Sequence, residues 1–208
     1  IRFQDWRLLK SDYIVVGRVV TERGVTSVVF ELFNVQTGEA LLAETVPVPG
    51  QSMRAAAHRI ADLVFERLTG IPGAFSTRIA YVSVEGTPPS RRYRLVVSDA
   101  DGFNARNVTE SSEPIMSPAW PPDGQDLAYA SFESRTSAIY VQRLATGERR
   151  RVSARAGING APAFSPDGRR LAITLSRDGN LDIYILDLAT QALTRVTSDE
   201  AIDTEAAW

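Results

Sequence analysis

Apolar positions along the chain follow two patterns, and the change between them falls near residue 70. Beyond it, short apolar or alternating runs are separated by turn-forming clusters, which is the signature of strands rather than helices. The pattern then returns: PAWPPDGQDLAYASFESRTSAIYVQRLATGERRRVS aligns without a gap on PAFSPDGRRLAITLSRDGNLDIYILDLATQALTRVT. Trp120, Phe164 and Trp208 hold the same place in successive copies, 44 residues apart, and Val108, Val152 and Val196 keep that step. A fixed period in the forties marks a repeat whose units bury their faces against one another. Within one unit, PAFSP, RRLAITLS, LDIYILDL and ALTRVTS read as four strands. Ser165-Pro166-Asp167-Gly168 supplies a tight turn, because proline presets φ, aspartate bonds its own backbone and glycine closes the turn. Four up-and-down antiparallel strands at this period describe a propeller blade.

Residues before 70 lack the period. Phe3, Trp6, Leu9 and Lys10 have helical spacing, and YIVVGRVV reads as a strand with a buried centre. Residues 25–35 and 39–48 predict a hairpin about Thr37-Gly38, which Pro47 and Pro49 terminate. Residues 51–68 predict a helix capped by Ser52, striped by Met53, Ala56, Ile60, Leu63, Val64 and Leu68, and ended by Gly70. The expected fold is therefore mainly β with an α/β N-terminal part: a partial β-propeller preceded by an incomplete α/β domain. Residues 1–72 form the C-terminal part of that α/β domain, and 73–208 the first blades. Residues 75–117 form a blade without an inner strand of its own, since no Pro-Asp-Gly turn precedes Ile79. Blades follow at 118–161 and 162–205, and 206–208 starts the next. A ring of four to eight such blades needs roughly 176 to 352 residues, so the chain is expected to be part of a longer protein with about three blades.

Composition narrows the chemistry. With 208 residues, 44% of them hydrophobic, the chain can bury a substantial core, and its net charge of −2 draws it to neither nucleic acid nor anionic lipid. No apolar run reaches the length that spans a bilayer, so no membrane insertion is expected. Zero cysteines exclude disulfides, thiolate nucleophiles and cysteinyl metal sites. His58 is the only histidine and lies outside the repeats, which argues against catalytic residues in the blades. Asp99-Ala100-Asp101-Gly102-Phe103-Asn104 lacks calcium-loop spacing and reads as a turn, so no metal or other cofactor is expected. Arg149-Arg150-Arg151 and Arg91-Arg92 fall on an outer strand and a hairpin, where charge protects a sheet edge from pairing. No nucleic-acid partner follows from them. Trp120, Phe164 and Trp208, in one register, read as core between blades.

Three connections between blades, 111–118, 154–162 and 198–206, gather at one end of a propeller. Their register-equivalent positions are Ser117, Ala161 and Glu205.

The runs LTGIPGAFSTRIAYV, SPAWPPDGQDLAYASFES, NGAPAFSPDGRRLAITLS and LDIYILDLAT together closely resemble the TolB family of the Tol-Pal envelope system, over essentially the whole chain. The resemblance implies an α/β domain before a six-bladed propeller, a periplasmic location and no catalytic activity. It further implies binding to the lipoprotein Pal, and to TolA through an N-terminal segment that this sequence does not include. Outer-membrane integrity and invagination during division are the processes it points to. Carried onto this chain, the partner-binding positions are Met116, Ser117, Ile158, Asn159, Gly160, Ala161, Asp203, Thr204 and Glu205. Ile158 stands where better-known members carry histidine, and Ala206 where they carry proline. The alternative is the propeller of a prolyl-oligopeptidase-type serine peptidase, whose blades also use Ser-Pro-Asp-Gly turns. Nothing in 1–68 resembles a nucleophile elbow.

Overall fold

A computed structural model describes residues 1–208, the side chain of Gln51 excepted. The chain divides into two compact units, Ile1–Arg78 with Asp99–Asp101, and Ile79–Ser98 with Gly102–Trp208.

In the first unit, α1 (Phe3–Leu8) precedes β1 (Tyr13–Glu22), β2 (Val25–Asn34) and β3 (Ala40–Pro47), which form an antiparallel sheet in that order. The β1–β2 turn uses Arg23 and Gly24 at φ of 49° and 80°, the paired left-handed conformation whose twist suits a two-residue hairpin. At the β2–β3 hairpin, Asn34 Oδ1 accepts from the N–H groups of Gln36 and Thr37 at 2.8 and 3.0 Å. Helix α2 (Met53–Thr69) has the predicted ends: Ser52 Oγ accepts from Ala55 N–H at 3.2 Å, and Gly70 closes the helix in the left-handed region. Ala56, Ile60, Leu63 and Val64 pack with Phe30, Val46 and Val48, while Met53 and Leu68 stay part-exposed. The sequence predicts a buried centre for β1, and the structure corrects this: Val15 and Val19 are 46% and 57% exposed. The apolar run is real, but β1 is the edge strand and α2 packs against β3 at the far side of the sheet.

One polar residue of α2 faces inward. Asp62 is 3% exposed and accepts from the N–H groups of Phe75 and Ser76 at 2.7 and 3.2 Å, and from the Ser76 hydroxyl. Burial pushes its carboxyl up, but these bonds outweigh burial and hold it below the usual carboxylate range. Gly73 permits the approach, because a Cβ there would sit 2.5 Å from Asp62 Cα.

The second unit is built from stacked antiparallel sheets. The first has three strands in sequence order, β4 (Arg78–Glu85), β5 (Arg92–Asp99) and β6 (Arg106–Ser111). The second runs β7 (Ile115–Ala119), β8 (Asp126–Ser131), β9 (Ala138–Arg143), β10 (Arg149–Ser153). The third repeats it with β11 (Asn159–Phe164), β12 (Arg170–Leu175), β13 (Asp182–Asp187) and β14 (Leu193–Arg195). Because strand side chains alternate, each central strand serves two interfaces. Leu127 and Tyr129 of β8 join Leu95, Val97 and Ile115 in one core, whereas Ala128 between them joins Leu171, Ile173 and Leu175 in the next. At the second interface large side chains thus meet a small one, Ala128, whereas the first is large on both sides.

Trp120 and Phe164 lie against these two cores, as the 44-residue spacing predicts. Trp208, in the same register, is 48% exposed, donates from Nε1 to Ala163 O at 3.0 Å and lies 5.0 Å from the Arg170 guanidinium. A polar chain also crosses the first interface: buried Tyr129 donates to Gln142 Oε1 at 2.8 Å, and Gln142 Nε2 to Val108 O at 3.1 Å. The arginine run sits on outermost β10. Arg149 binds both carboxylate oxygens of Glu133 at 2.6 and 2.9 Å and covers the Tyr140 ring, and Arg150 donates to Leu188 O at 3.1 Å. Two of the three arginines are thereby held inside the unit's own contacts.

Candidate functional site at the end of the inner strands

The inner strands begin earlier than the sequence suggests. β7 starts at Ile115 and β11 at Asn159, so Met116, Ser117, Asn159, Gly160 and Ala161 belong to strands, where the sequence places them in connections. The cause is a bulge. Pairing of β7 with β8 shifts between Met116 and Ala119, and that of β11 with β12 between Gly160 and Ala163. Ser117 and Ala161 sit inside the bulges at φ of 49° and 45°, and Glu205 repeats the conformation at 58°. Pro118 and Pro162, which follow Ser117 and Ala161 and lack an N–H, suit positions that leave the ladder. Left-handed backbone at a residue with a Cβ is strained. Its recurrence at one register makes it a property of the repeat.

These bulges open a cleft of about 200 Å³. Of the nine positions expected from the sequence, Met116, Ser117, Ile158, Asn159, Gly160, Ala161, Thr204 and Glu205 line it. Asp203 does not; its N–H donates to Leu181 O at 2.9 Å and its Oδ2 is buried without a hydrogen-bonding partner. The lining also includes Ala130, Phe132, Thr174 and Leu181, which the sequence reading missed. Ala130 and Thr174 are themselves 44 residues apart, so the repeat carried the signal: the second strand reaches the same end as the first.

The site is apolar at its rim and firmly held beneath. Met116 and Ile158 of its lining are 52% and 48% exposed, and Ile202, outside the lining but in the register of Ile158, is 70% exposed. Asn159 is fully buried. Its Oδ1 accepts from Ser153 Oγ and Arg155 N–H at 2.7 and 2.8 Å, its Nδ2 donates to the carbonyls of Arg155 and Gly157 at 2.8 and 3.3 Å, and its backbone N–H donates to Ser137 Oγ at 2.7 Å. Both ends of the amide are consumed, so Asn159 shapes the cleft without offering its side chain to a ligand. Ile158 N–H donates to Ser176 Oγ at 2.7 Å, against which Gly157, at φ of 79°, packs too closely for any Cβ. At Gly160 a Cβ would meet nothing within 4 Å. Glu205, which lines the cleft, is exposed, as are Asp199 and Glu200 of the same connection and Arg155 of the one before it.

The other candidate chemistry lies elsewhere. His58 is in the first unit, where its Nε2 is 3.2 Å from Asp101, a carboxylate that Arg54 also meets. Asp101 is thus engaged by side chains of α2. Among the described residues no group of three or more His, Cys, Asp or Glu is placed to hold a metal ion. No helix among them is long and apolar enough to cross a membrane.

A family model described as the TolB beta propeller domain matches residues 65–208. The chain belongs to the TolB family. TolB of Methylococcus capsulatus is 54% identical over 156 residues, 75% of this chain and 37% of its own length. TolB of Xylella fastidiosa strain M12 is 49% identical over 162 residues, 77% of this chain and again 37% of its own. Both are named Tol-Pal system proteins. The crystal structure of TolB from Acinetobacter baumannii superposes with a TM-score of 0.87 at 42% identity, covering 98% of this chain and 51% of that one. The chain therefore spans between about one third and one half of the length of these relatives. Their names give the peptidase alternative no support.

Proposed function

We propose that this chain is part of a periplasmic, non-enzymatic scaffold of the Tol-Pal system that docks the lipoprotein Pal on the cleft at the end of the inner strands. In the full protein, TolA would bind through an N-terminal segment outside this sequence, and the assembly would serve outer-membrane integrity and invagination during cell division. The observation that carries the reading is convergence: eight positions drawn from three separate stretches of sequence line one cleft with an apolar rim. Membership of the TolB family, whose relatives are named Tol-Pal system proteins, supports a partner within that system. The arrangement suits a protein partner better than a small substrate. Its walls are backbone bulges and small side chains that allow another chain close approach, and the exposed Met116, Ile158 and Ile202 offer the kind of desolvated contact that dominates interface energetics.

Titration of the full-length protein with purified Pal tests this. Saturable binding is expected, and Glu205→Arg, which reverses an exposed charge at the cleft, should weaken it about tenfold with the effect reduced at high salt. Equal affinity of the two proteins at low salt would remove Glu205, and with it this end of the propeller, from the docking surface.

A further inference from the structure

The connection 198–206 carries Ile202, Asp203, Thr204 and Glu205, yet it lacks the device that holds its counterpart 154–162. There, Asn159 Nδ2 donates to the carbonyls of Arg155 and Gly157. One period later the residue is Asp203, and a carboxylate has no N–H to give. The carbonyls that need donors are those of Asp199 and Ala201, each 44 residues beyond Arg155 and Gly157. Asn180 supplies them. From the β12–β13 hairpin its Nδ2 donates to Asp199 O at 3.2 Å and, more closely, to Ala201 O. The same two carbonyls of the repeat thus receive an amide in both copies, once from within the connection and once from the hairpin beside it. Asp203 bears the mark of the exchange, since its Oδ2 is buried without a hydrogen-bonding partner.

The geometry points to Asn180 as a positioning residue for the docking surface, holding 199–202 in the form that presents Ile202, Thr204 and Glu205 to the partner. The inference rests on the proposed function only for what is presented; the brace itself is independent of it. Asn180 does not line the cleft, so any effect on docking has to pass through the connection it holds.

The test uses the full-length protein with two readouts, amide hydrogen exchange over 199–203 and affinity for purified Pal. Asn180→Ala, and Asn180→Asp, which keeps the shape but removes the donors, should each raise exchange in this stretch about tenfold and weaken binding about tenfold, with little change in global stability. The deciding variant is Asn180→Ala with Asp203→Asn. Asparagine at 203 would restore the donors from within, as Asn159 does, and should return exchange to the original rate and affinity to that of Asp203→Asn alone. A side chain that merely stabilised the fold would not be rescued from a second position. Unchanged exchange in both single variants overturns the brace, as does raised exchange that Asp203→Asn fails to reverse. Raised and rescued exchange with unaltered affinity overturns the positioning role. Should the original protein fail to bind Pal, the proposed function falls and the exchange arm still decides the brace.

Discussion

Asn159→Leu is expected to lower the unfolding free energy of the propeller by about 2–4 kcal/mol, measured by urea unfolding of the full-length protein, and to loosen residues 154–158. The substitution keeps the volume and removes every polar contact of the side chain. Ser153 Oγ, in a buried serine, and the Arg155 N–H lose their acceptor, and the carbonyls of Arg155 and Gly157 lose their donor. A buried group left without a partner costs the full desolvation penalty, which is why the effect should exceed that of an ordinary surface change. Asn159→Asp is the informative companion. It can still accept from Ser153 and Arg155, but its second oxygen would face the carbonyls of Arg155 and Gly157 without a donor between them, so a loss at least as large is expected.

Gly160→Trp should leave folding nearly unchanged and reduce Pal affinity by about a hundredfold or more, read by calorimetric titration. Folding tolerates it because a Cβ at Gly160 meets nothing within 4 Å, and Gly160 does not adopt the left-handed backbone that makes Ala161 a poorer place for a bulky residue. Docking does not tolerate it, because Gly160 lines the cleft and a tryptophan there would fill a space of about 200 Å³. Ala161→Gly is the matching control. It removes the strain of a Cβ at φ of 45° without adding bulk, and should bind at least as well as the original.

How much of this was readable beforehand follows from what repeats. The strands of each full blade, the turns after Pro121 and Ser165, and the inward places of Trp120 and Phe164 come from spacing, since a period fixes register once one copy is understood. The ends of α2 were legible because Ser52 and Gly70 solve local backbone problems. The start of the inner strands was not. IMSPA and NGAPAF mix small, polar and proline residues, and a bulge breaks the alternation by which a strand is recognised. Asn159-Gly160 reads as a turn dipeptide, yet the asparagine is buried inside a strand, because its amide matches a set of loop groups that only the folded chain assembles. The inward place of Asp62 is illegible in the sequence for a related reason. A carboxylate on a helix looks solvated until the chain after the helix brings two N–H groups to it. The exposed centre of β1 shows the converse: an apolar run tells how a residue would rather be placed, and says nothing of what covers it.

The central claim is that partners meet the propeller where the three connections and the bulged inner strands converge. Hydrogen exchange of the full-length protein with and without saturating Pal measures this most directly. Protection is expected in 111–118, 154–162 and 198–206 together, with the turns at 121–125 and 165–168 unaffected. Protection confined to those turns or to the first unit, with the three connections exchanging as before, would contradict the account.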